Sequence, residues 1–118
     1  MTLDEFFTGR EASRRIFDVL RAAIAALGSA EMRVTKSQVA FRRSKAFAWA
    51  WVPGIYLRGR GAPLVLTLSF PERSVSPRWK QIVEPAPGRF THHLELWTEA
   101  EIDAEVCAWL REAWEAAA

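Results

Sequence analysis

Large and small side chains alternate along the stretch from Phe47 to Val52, which reads Phe-Ala-Trp-Ala-Trp-Val. A period of two is the spacing of a β-strand whose two faces have different surroundings. A helix turns by about 100° per residue and would give the three aromatic rings no common face. The sequence therefore predicts a strand whose aromatic side chains face the core, while Ala48, Ala50 and Val52 face outward.

Four other stretches alternate in the same way and predict four further strands. They span residues 31–35, 38–43, 64–70 and 89–97. The dipeptide Ser44-Lys45, between the second of these stretches and the aromatic strand, is typical of a hairpin turn. We therefore expect neighbouring strands in the sequence to pair in an antiparallel fashion.

Apolar residues repeat at steps of three and four near both ends of the chain, which is the spacing of a helix with one buried face. The first such segment covers 12–27, and the second follows the capping-box pattern Thr98-Glu-Ala-Glu101. A shorter helix is predicted over 78–83, because Ser76-Pro77 fits an N-cap followed by proline in the first turn.

The order of helix, strands, short helix, strand and helix predicts an α+β fold. We expect two layers: a mainly antiparallel sheet of about five strands, with the N- and C-terminal helices packed on one of its faces. No internal repeat or linker is visible, so residues 1–118 are interpreted as one domain. The expected outer face consists of Gln38, Ala40, Arg42, Ala48, Ala50, Val65, Thr67, Ser69, Thr91 and His93.

Composition agrees with a folded domain, because half of the 118 residues are hydrophobic and a quarter are charged. The N-terminus is acidic and lacks the basic region of a signal peptide, and no apolar run is long enough to cross a membrane. Cys107 is the one cysteine, so an intrachain disulfide is excluded. A cytoplasmic location without membrane association is the expectation.

Charge is distributed unevenly along the chain. Residues 31–93 hold eleven Lys or Arg against three Asp or Glu, whereas residues 94–118 hold one Arg against seven acids. Such polarity can mark an anion-binding face, or the acidic helix can simply neutralise a basic sheet within the domain. The second interpretation is favoured, because the net charge of the whole chain is only +2.

Several separated motifs occur in a fixed order along the chain: Val34–Arg43, Phe47–Trp51, Pro77–Lys80, Glu84–Arg89 and His92–Glu95. Together they resemble an uncharacterised bacterial family, the domain-of-unknown-function family 5655, and the likeness covers nearly the whole chain. The resemblance implies a small α+β domain. It supplies no catalytic residue, cofactor or activity.

Residues suited to chemistry are few. Neighbours on a strand point to opposite faces, so His92 and His93 cannot chelate one metal ion together. His92 is interpreted as a hydrogen-bonded core histidine, whereas His93 shares an outer face with Glu95 and could carry a proton. Acidic neighbours disfavour a thiolate at Cys107. No metal site, cofactor or catalytic set is predicted.

The most suggestive group combines cations with aromatic residues that could rim a ligand pocket if the segment 71–88 folds over the outer sheet face. The alternative for Trp79, which is favoured, is that it anchors its own loop to the core. The candidate ligand-binding residues are Lys36, Arg42, Tyr56, Arg58, Trp79, Lys80, Arg89 and His93.

Three functions follow as hypotheses. The first is a non-catalytic binding or interaction module that accepts an anionic small molecule or nucleic acid on its basic, aromatic-flanked sheet face. The second is a small hydrolase or transferase that uses His93 and Glu95. The third is a homodimer formed through the small apolar patch of Ala48, Ala50 and Val65.

Overall fold

The computed structural model describes residues 1–55 and 61–118 of the chain. Within these residues three α-helices are formed: Leu3–Phe6 (α1), Glu11–Ala25 (α2) and Ala104–Ala116 (α3). The strands in the same residues are Glu31–Val34 (β1), Val39–Arg42 (β2), Ala46–Trp51 (β3), Leu64–Phe70 (β4), Gln81–Ala86 (β5) and Arg89–Leu96 (β6). Short 3-10 turns follow β3, at Pro53–Ile55, and β6, at Glu99–Glu101.

The strands form one antiparallel sheet in the order β1-β2-β3-β4-β6-β5. β1 to β4 follow their order in the sequence, whereas β5 lies at the edge because β6 pairs with both β4 and β5. The predicted α+β fold, with helices at both chain ends packed on one face, is confirmed. The described residues form six strands rather than about five.

The additional strand, β5, replaces part of the short helix predicted over 78–83. The N-cap signal is real, since Ser76 Oγ accepts a hydrogen bond from the Arg78 N–H at 3.2 Å. It produces only a turn, because Trp79 then turns into the core and Gln81 begins to pair with His93 of β6. Pairing along a sheet edge outweighs this weak local helix signal.

Helix α3 begins later than the sequence suggests. The capping box between Thr98 and Glu101 forms, but it closes the 3-10 turn at Glu99–Glu101. The α-helix starts at Ala104 after a second cap, in which the Asp103 carboxylate accepts from the Val106 N–H at 3.1 Å. The Val106 backbone bond and the Arg78 guanidinium together hold the pKa of Asp103 below its usual value.

The core lies between the helices and one face of the sheet. Helices α2 and α3 cover this face with residues spaced three and four apart, as predicted, and the leucines of β4 and β6 lie beneath them. Its largest fully buried side chains are Phe6, Phe17, Phe47, Leu20, Ile24, Leu64, Leu66, Leu68, Leu96, Leu110, His92 and Val39.

The predicted orientation of β3 is wrong. Ala48 and Ala50 are both 0% exposed and pair with Leu68 and Leu66, so these alanines face the helices. Trp49 instead pairs with Thr67 and faces away from the helices, as does Trp51. Alanines let the helix layer approach the middle of the sheet closely. The Trp51 indole N–H finds its hydrogen-bond partner, Thr67 Oγ1, on the outer face.

A β-bulge explains why the period-two pattern assigns side chains to the wrong face of β3. The register between β2 and β3 shifts at Phe41 and Arg42, and both Phe47 and Ala48 are buried although they are consecutive. A bulge inserts one extra residue into the strand and changes which face the following side chains use. Phe47 therefore belongs to the core, while Trp49, two residues later, does not.

The C-terminal end of α3 is tied to the sheet by Arg43. Its guanidinium lies 3.6 Å from the centroid of the Trp114 ring and donates to the Trp114 carbonyl oxygen at 2.9 Å. The Ser44 N–H donates to the Ala117 carbonyl oxygen at 2.9 Å. The Trp114 ring also leaves no room for a side chain at Gly28, where a Cβ would lie 2.6 Å from Cζ2. These contacts fix the helix end against the sheet.

Candidate functional site

A trough runs along β4 on the sheet face away from the helices. Its floor is formed by Thr67, a short side chain that lies between the buried Leu66 and Leu68 along β4. Larger side chains rise on both sides from β3 and β6. Because these two strands flank β4 and neighbouring strands lie about 4.8 Å apart, the walls stand roughly 10 Å apart. The trough encloses about 360 Å³ and is lined by Ser37, Gln38, Trp49, Trp51, Thr67, Arg89, Thr91 and His93.

Strand register places the trough residues opposite one another. Trp49 pairs with Thr67, and Thr67 pairs with His93, so a single row crosses from wall to floor to wall. The adjacent row contains Ser69 and Thr91, which are also direct partners. The trough is therefore a consequence of residue size along three antiparallel strands: tryptophans on β3, short residues on β4, and Arg, Thr and His on β6.

A chain of hydrogen bonds joins three of these residues. The Trp51 Nε1–H donates to Thr67 Oγ1 at 3.0 Å, and Thr67 Oγ1 lies 2.7 Å from His93 Nδ1. The Trp51 and His93 rings meet edge to face, with centroids 6.3 Å apart. Trp51 therefore lies over the floor at one end of the trough.

This chain favours one tautomer of His93. The Thr67 oxygen already accepts from the indole, and its hydroxyl has one proton to donate. Among the hydrogen bonds of residues 1–55 and 61–118, His93 Nδ1 is the acceptor available to that proton. When Thr67 donates this proton to Nδ1, a neutral His93 carries its own proton on Nε2. The ring consequently offers an N–H donor to a ligand in the trough.

Burial supports the neutral form of this imidazole. Desolvation lowers the pKa of His93 below its ordinary value, so the ring is uncharged at neutral pH. Positive charge in the trough comes instead from Arg89 on the opposite end of the same wall. No Asp or Glu lines the trough in the part of the chain that the structure describes.

Most cations of the basic middle segment form no ion pair in the part of the chain that the structure describes. Within the described residues, Arg78 is the one cation of segment 31–93 that forms an ion pair, at 3.1 Å to Asp103 and 2.8 Å to Glu105. Arg43 is used in the stack on Trp114. The described cations of this segment that form no ion pair are Arg33, Lys36, Arg42, Arg43, Lys45, Arg73, Lys80 and Arg89.

The structure brings together two of the eight candidate residues predicted from the sequence. Arg89 and His93 both line the trough. Lys36 is exposed in the turn next to Ser37, while exposed Arg42 donates to the Ser44 carbonyl oxygen at 2.9 Å. Exposed Lys80 precedes β5, and its N–H donates to the His93 carbonyl oxygen. Tyr56 and Arg58 lie outside the described residues.

Trp79 lies on the opposite side of the sheet from the trough. It is 7% exposed and packs on Trp109 of α3, with ring centroids 4.3 Å apart, and on His92 at 4.9 Å. Neighbouring Arg78 holds the same loop to the start of α3. This placement agrees with the interpretation that Trp79 anchors its loop, and it excludes Trp79 as a wall of a pocket on the outer face.

His92 is a core histidine, as its position beside Leu94 predicts. It is 0% exposed, and its Nε2 accepts a hydrogen bond from the Ser74 N–H at 3.0 Å. Burial lowers the pKa of His92, and this effect outweighs the backbone carbonyl groups of Phe90 and Leu68, which favour the protonated ring. His92 therefore holds the 71–80 loop against the sheet while uncharged.

The candidate list from the sequence missed Trp49, Trp51, Thr67 and Thr91. Parity along β4 and β6 places Thr67 and Thr91 on the outer face, as expected, but neither is among the candidate ligand-binding residues. Hydrophobic alternation places Trp49 and Trp51 in the core, because it considers their size and takes no account of their polar N–H groups. An indole needs a hydrogen-bond partner, and the short polar residues on the neighbouring strand were the available signal.

The described residues contain neither a metal-ligand cluster nor a helix suited to a membrane. No group of three or more His, Cys, Asp or Glu there is arranged to hold a metal ion. Cys107 is half-buried on α3 and free. Within the same residues, no helix has the length and apolar character needed to cross a bilayer.

A family model described as Domain of unknown function (DUF5655) matches residues 3–117 of the chain. Neither a curated protein nor a solved structure matches it.

Proposed function

Because the chain belongs to the DUF5655 family, whose description assigns no activity, we propose a function from geometry: the domain is a non-catalytic binding module for an anionic ligand. The ligand would lie in the trough along β4. The observation that carries the proposal is that the Arg89 cation and the His93 ring line one depression, in which no carboxylate is found among the described residues.

The trough has the features of small-ligand sites. Its volume of about 360 Å³ falls in the range of roughly 300–1,000 Å³ typical of such sites, which combine aromatic walls with a few polar groups. Trp49 offers the apolar wall, and Arg89 can form charge-assisted hydrogen bonds with a phosphate or carboxylate. The hydroxyl groups of Ser37 and Thr91 add neutral hydrogen-bonding positions.

The shape favours a small molecule over a nucleic acid strand. A strand would need an open channel with successive aromatic faces on which bases stack. Here the Trp51 ring lies over the floor at one end of the trough and contacts His93. The thermal-shift panel therefore includes short single-stranded oligonucleotides, which we expect to bind more weakly than small anions.

The same geometry favours binding over catalysis. A general base needs an unprotonated nitrogen directed at the substrate. In His93 that nitrogen is Nδ1, which is bound to Thr67 at the trough floor. Glu95 lies one row further along, beside Val65, and no hydrogen bond joins it to His93 among the described residues. The hydrolase or transferase hypothesis therefore has no arranged pair of groups to support it.

The homodimer hypothesis loses the surface on which it was based. Ala48 and Ala50 are buried beneath the helices, so they cannot form an outer apolar patch with Val65. The outer face is instead aromatic, polar and cationic.

A thermal-shift panel tests the proposal. The panel should contain nucleotides, phosphorylated sugars, dicarboxylates and short single-stranded oligonucleotides, each measured at about 50 mM and about 300 mM salt. A ligand present at about 100 times its Kd stabilises the fold by about 2.7 kcal/mol. We expect stabilisation by at least one small anion, with a smaller shift at high salt.

Two variants locate the effect. Arg89→Gln removes the trough cation and should abolish most of the anion-dependent shift. Arg21→Gln removes an exposed cation of α2, on the helix side of the domain, and should leave the shift unchanged. Equal loss in both variants would mean that net charge, rather than the trough, attracts the anions. Absence of a salt-sensitive shift with every anion would end the proposal.

A further inference from the structure

A second, larger depression lies at the end of the sheet where β3 and β6 begin and β4 ends. It encloses about 700 Å³ and continues the trough, because Trp49 and Arg89 line both. We call it the end pocket. Its apolar lining includes Phe47 and Phe70 from the sheet and Ala113 and Ala116 from the last turns of α3.

Charge is confined to one part of the end pocket. Lys45 and Arg89 are its charged lining residues, and no carboxylate lines it within the described residues. Arg89 stands where the polar trough meets the apolar end pocket, since it borders both. A ligand that fills both parts would therefore have an anionic group in the middle, an apolar portion on one side and a hydrogen-bonding portion on the other.

The nearby end of α3 does not prevent an anion from binding. A helix C-terminus carries partial negative charge on its unpaired carbonyl groups. Two carbonyl groups at this end already accept hydrogen bonds, Trp114 from the Arg43 guanidinium and Ala117 from the Ser44 N–H. Arg43 also places a positive charge beside the helix end.

We propose that the ligand is an amphiphilic anion whose apolar chain occupies the end pocket and whose anionic group binds Arg89 and Lys45. This inference rests on the proposed anion-binding function and narrows it to a ligand class. Charge complementarity and the continuity of the two depressions select this occupant over a neutral apolar molecule.

Titration calorimetry with a series of n-alkyl phosphates, from ethyl to octyl and below their micelle concentrations, tests the proposal. A buried methylene contributes about 0.8 kcal/mol, which corresponds to about fourfold in Kd. We expect Kd to fall about two- to fourfold per added methylene, because part of the chain stays in contact with water. 1-Octanol, which lacks the anion, should bind far more weakly than octyl phosphate.

Variants of α3 separate the end pocket from the trough. Ala116 is exposed and lines the end pocket, so Ala116→Trp should fill it without disturbing the core, and Ala116→Leu is a milder form of the same change. Both substitutions should abolish the fall in Kd with increasing alkyl chain length while leaving the Kd for ethyl phosphate unchanged. Ala108→Trp adds the same bulk at an exposed α3 position outside the end-pocket lining and should keep the wild-type series.

The outcomes distinguish the two levels of the proposal. Binding of ethyl phosphate with no gain from longer chains would refute the amphiphile and leave the anion-binding function standing. Equal affinity for 1-octanol and octyl phosphate would also refute it, because the anionic group would then contribute nothing. Failure of every alkyl phosphate to bind would refute the amphiphile, and the proposed function would be overturned as well if no anion of the thermal-shift panel stabilised the domain.

Discussion

Replacing Thr67 by Val tests the hydrogen-bond chain at the trough floor with little change in shape. Valine has the size and branching of threonine, so no cavity is created, but it cannot accept from the Trp51 Nε1–H or bond to His93 Nδ1. Thr67 is 6% exposed, so water reaches its hydroxyl poorly. The substitution therefore removes two contacts that solvent replaces only in part.

The expected loss of stability follows from those two contacts. A hydrogen bond contributes about 0.5–1.5 kcal/mol net, which gives about 1–3 kcal/mol for the pair. Trp51 and His93 are only half-buried, so partial rehydration of their nitrogens reduces the expected value to about 1–2 kcal/mol. Urea unfolding of the wild type and Thr67→Val measures the difference, and an unchanged m value would show that the unfolded states are comparable.

Thr67→Ser is the matched control, because it keeps the hydroxyl and removes one methyl group at a cost of about 1 kcal/mol. Stability alone does not separate the two variants, but the nitrogen chemical shifts of His93 do. The wild type and Thr67→Ser should show the neutral tautomer protonated on Nε2, whereas Thr67→Val should shift toward protonation on Nδ1. A Thr67→Val protein with an unchanged tautomer and a loss below about 0.5 kcal/mol would refute the chain described here.

Three further predictions concern the scaffold. Arg78→Ala should lower the free energy of unfolding by about 1–2 kcal/mol, because it removes charge-assisted hydrogen bonds between the 71–80 loop and the start of α3. Arg78→Lys should restore less than half of that loss. A loss below about 0.3 kcal/mol for Arg78→Ala in urea unfolding would contradict the prediction. Gly28→Ala should lower the free energy of unfolding by about 2 kcal/mol or more, since φ is +148° and the new Cβ would clash with Trp114. Gly88→Ala, with φ of +74° in open space, should lower it by only about 1 kcal/mol. Equal melting temperatures for the two variants would disprove the clash. Burial lowers the folded-state pKa of His92 below the unfolded value of about 6.5, so its stabilising contribution is complete above that pH and is lost as pH falls through the folded pKa. Unfolding free energies should therefore fall as the pH is lowered below about 6.5, and His92→Gln should reduce that slope; an unchanged slope would show that another group is responsible.

The architecture could be predicted from the sequence because period-two and period-3.6 patterns report burial directly. Strands β2, β4 and β6 appear with the expected faces outward, as Ala40, Thr67 and His93 show. Strand β5 could not be predicted in this way, since its residues are largely exposed and contain a proline. An edge strand of that kind is defined by pairing with its neighbour rather than by hydrophobic alternation.

The orientation of β3 shows how far the candidate site could be predicted from the sequence. Alternation states that two faces differ, but it does not state which face meets the core. Size alone assigns Trp49 and Trp51 to the core. In the structure, the small Ala48 and Ala50 instead lie on the sheet face beneath the helices. Reversing this one strand brings Trp49 and Trp51 to the outer face and creates a wall of the trough. Arg89 and His93 were within reach of sequence reasoning because both carry evident chemistry.

Amide chemical-shift mapping during titration with ethyl phosphate tests the central claim, that the trough along β4 binds an anion. The largest shifts should cluster at Trp49, Thr67, Arg89 and His93, should weaken as salt rises from about 50 to about 300 mM, and should disappear in Arg89→Gln. Shifts that cluster on the exposed surfaces of α2 and α3, or that persist in Arg89→Gln, would contradict the claim.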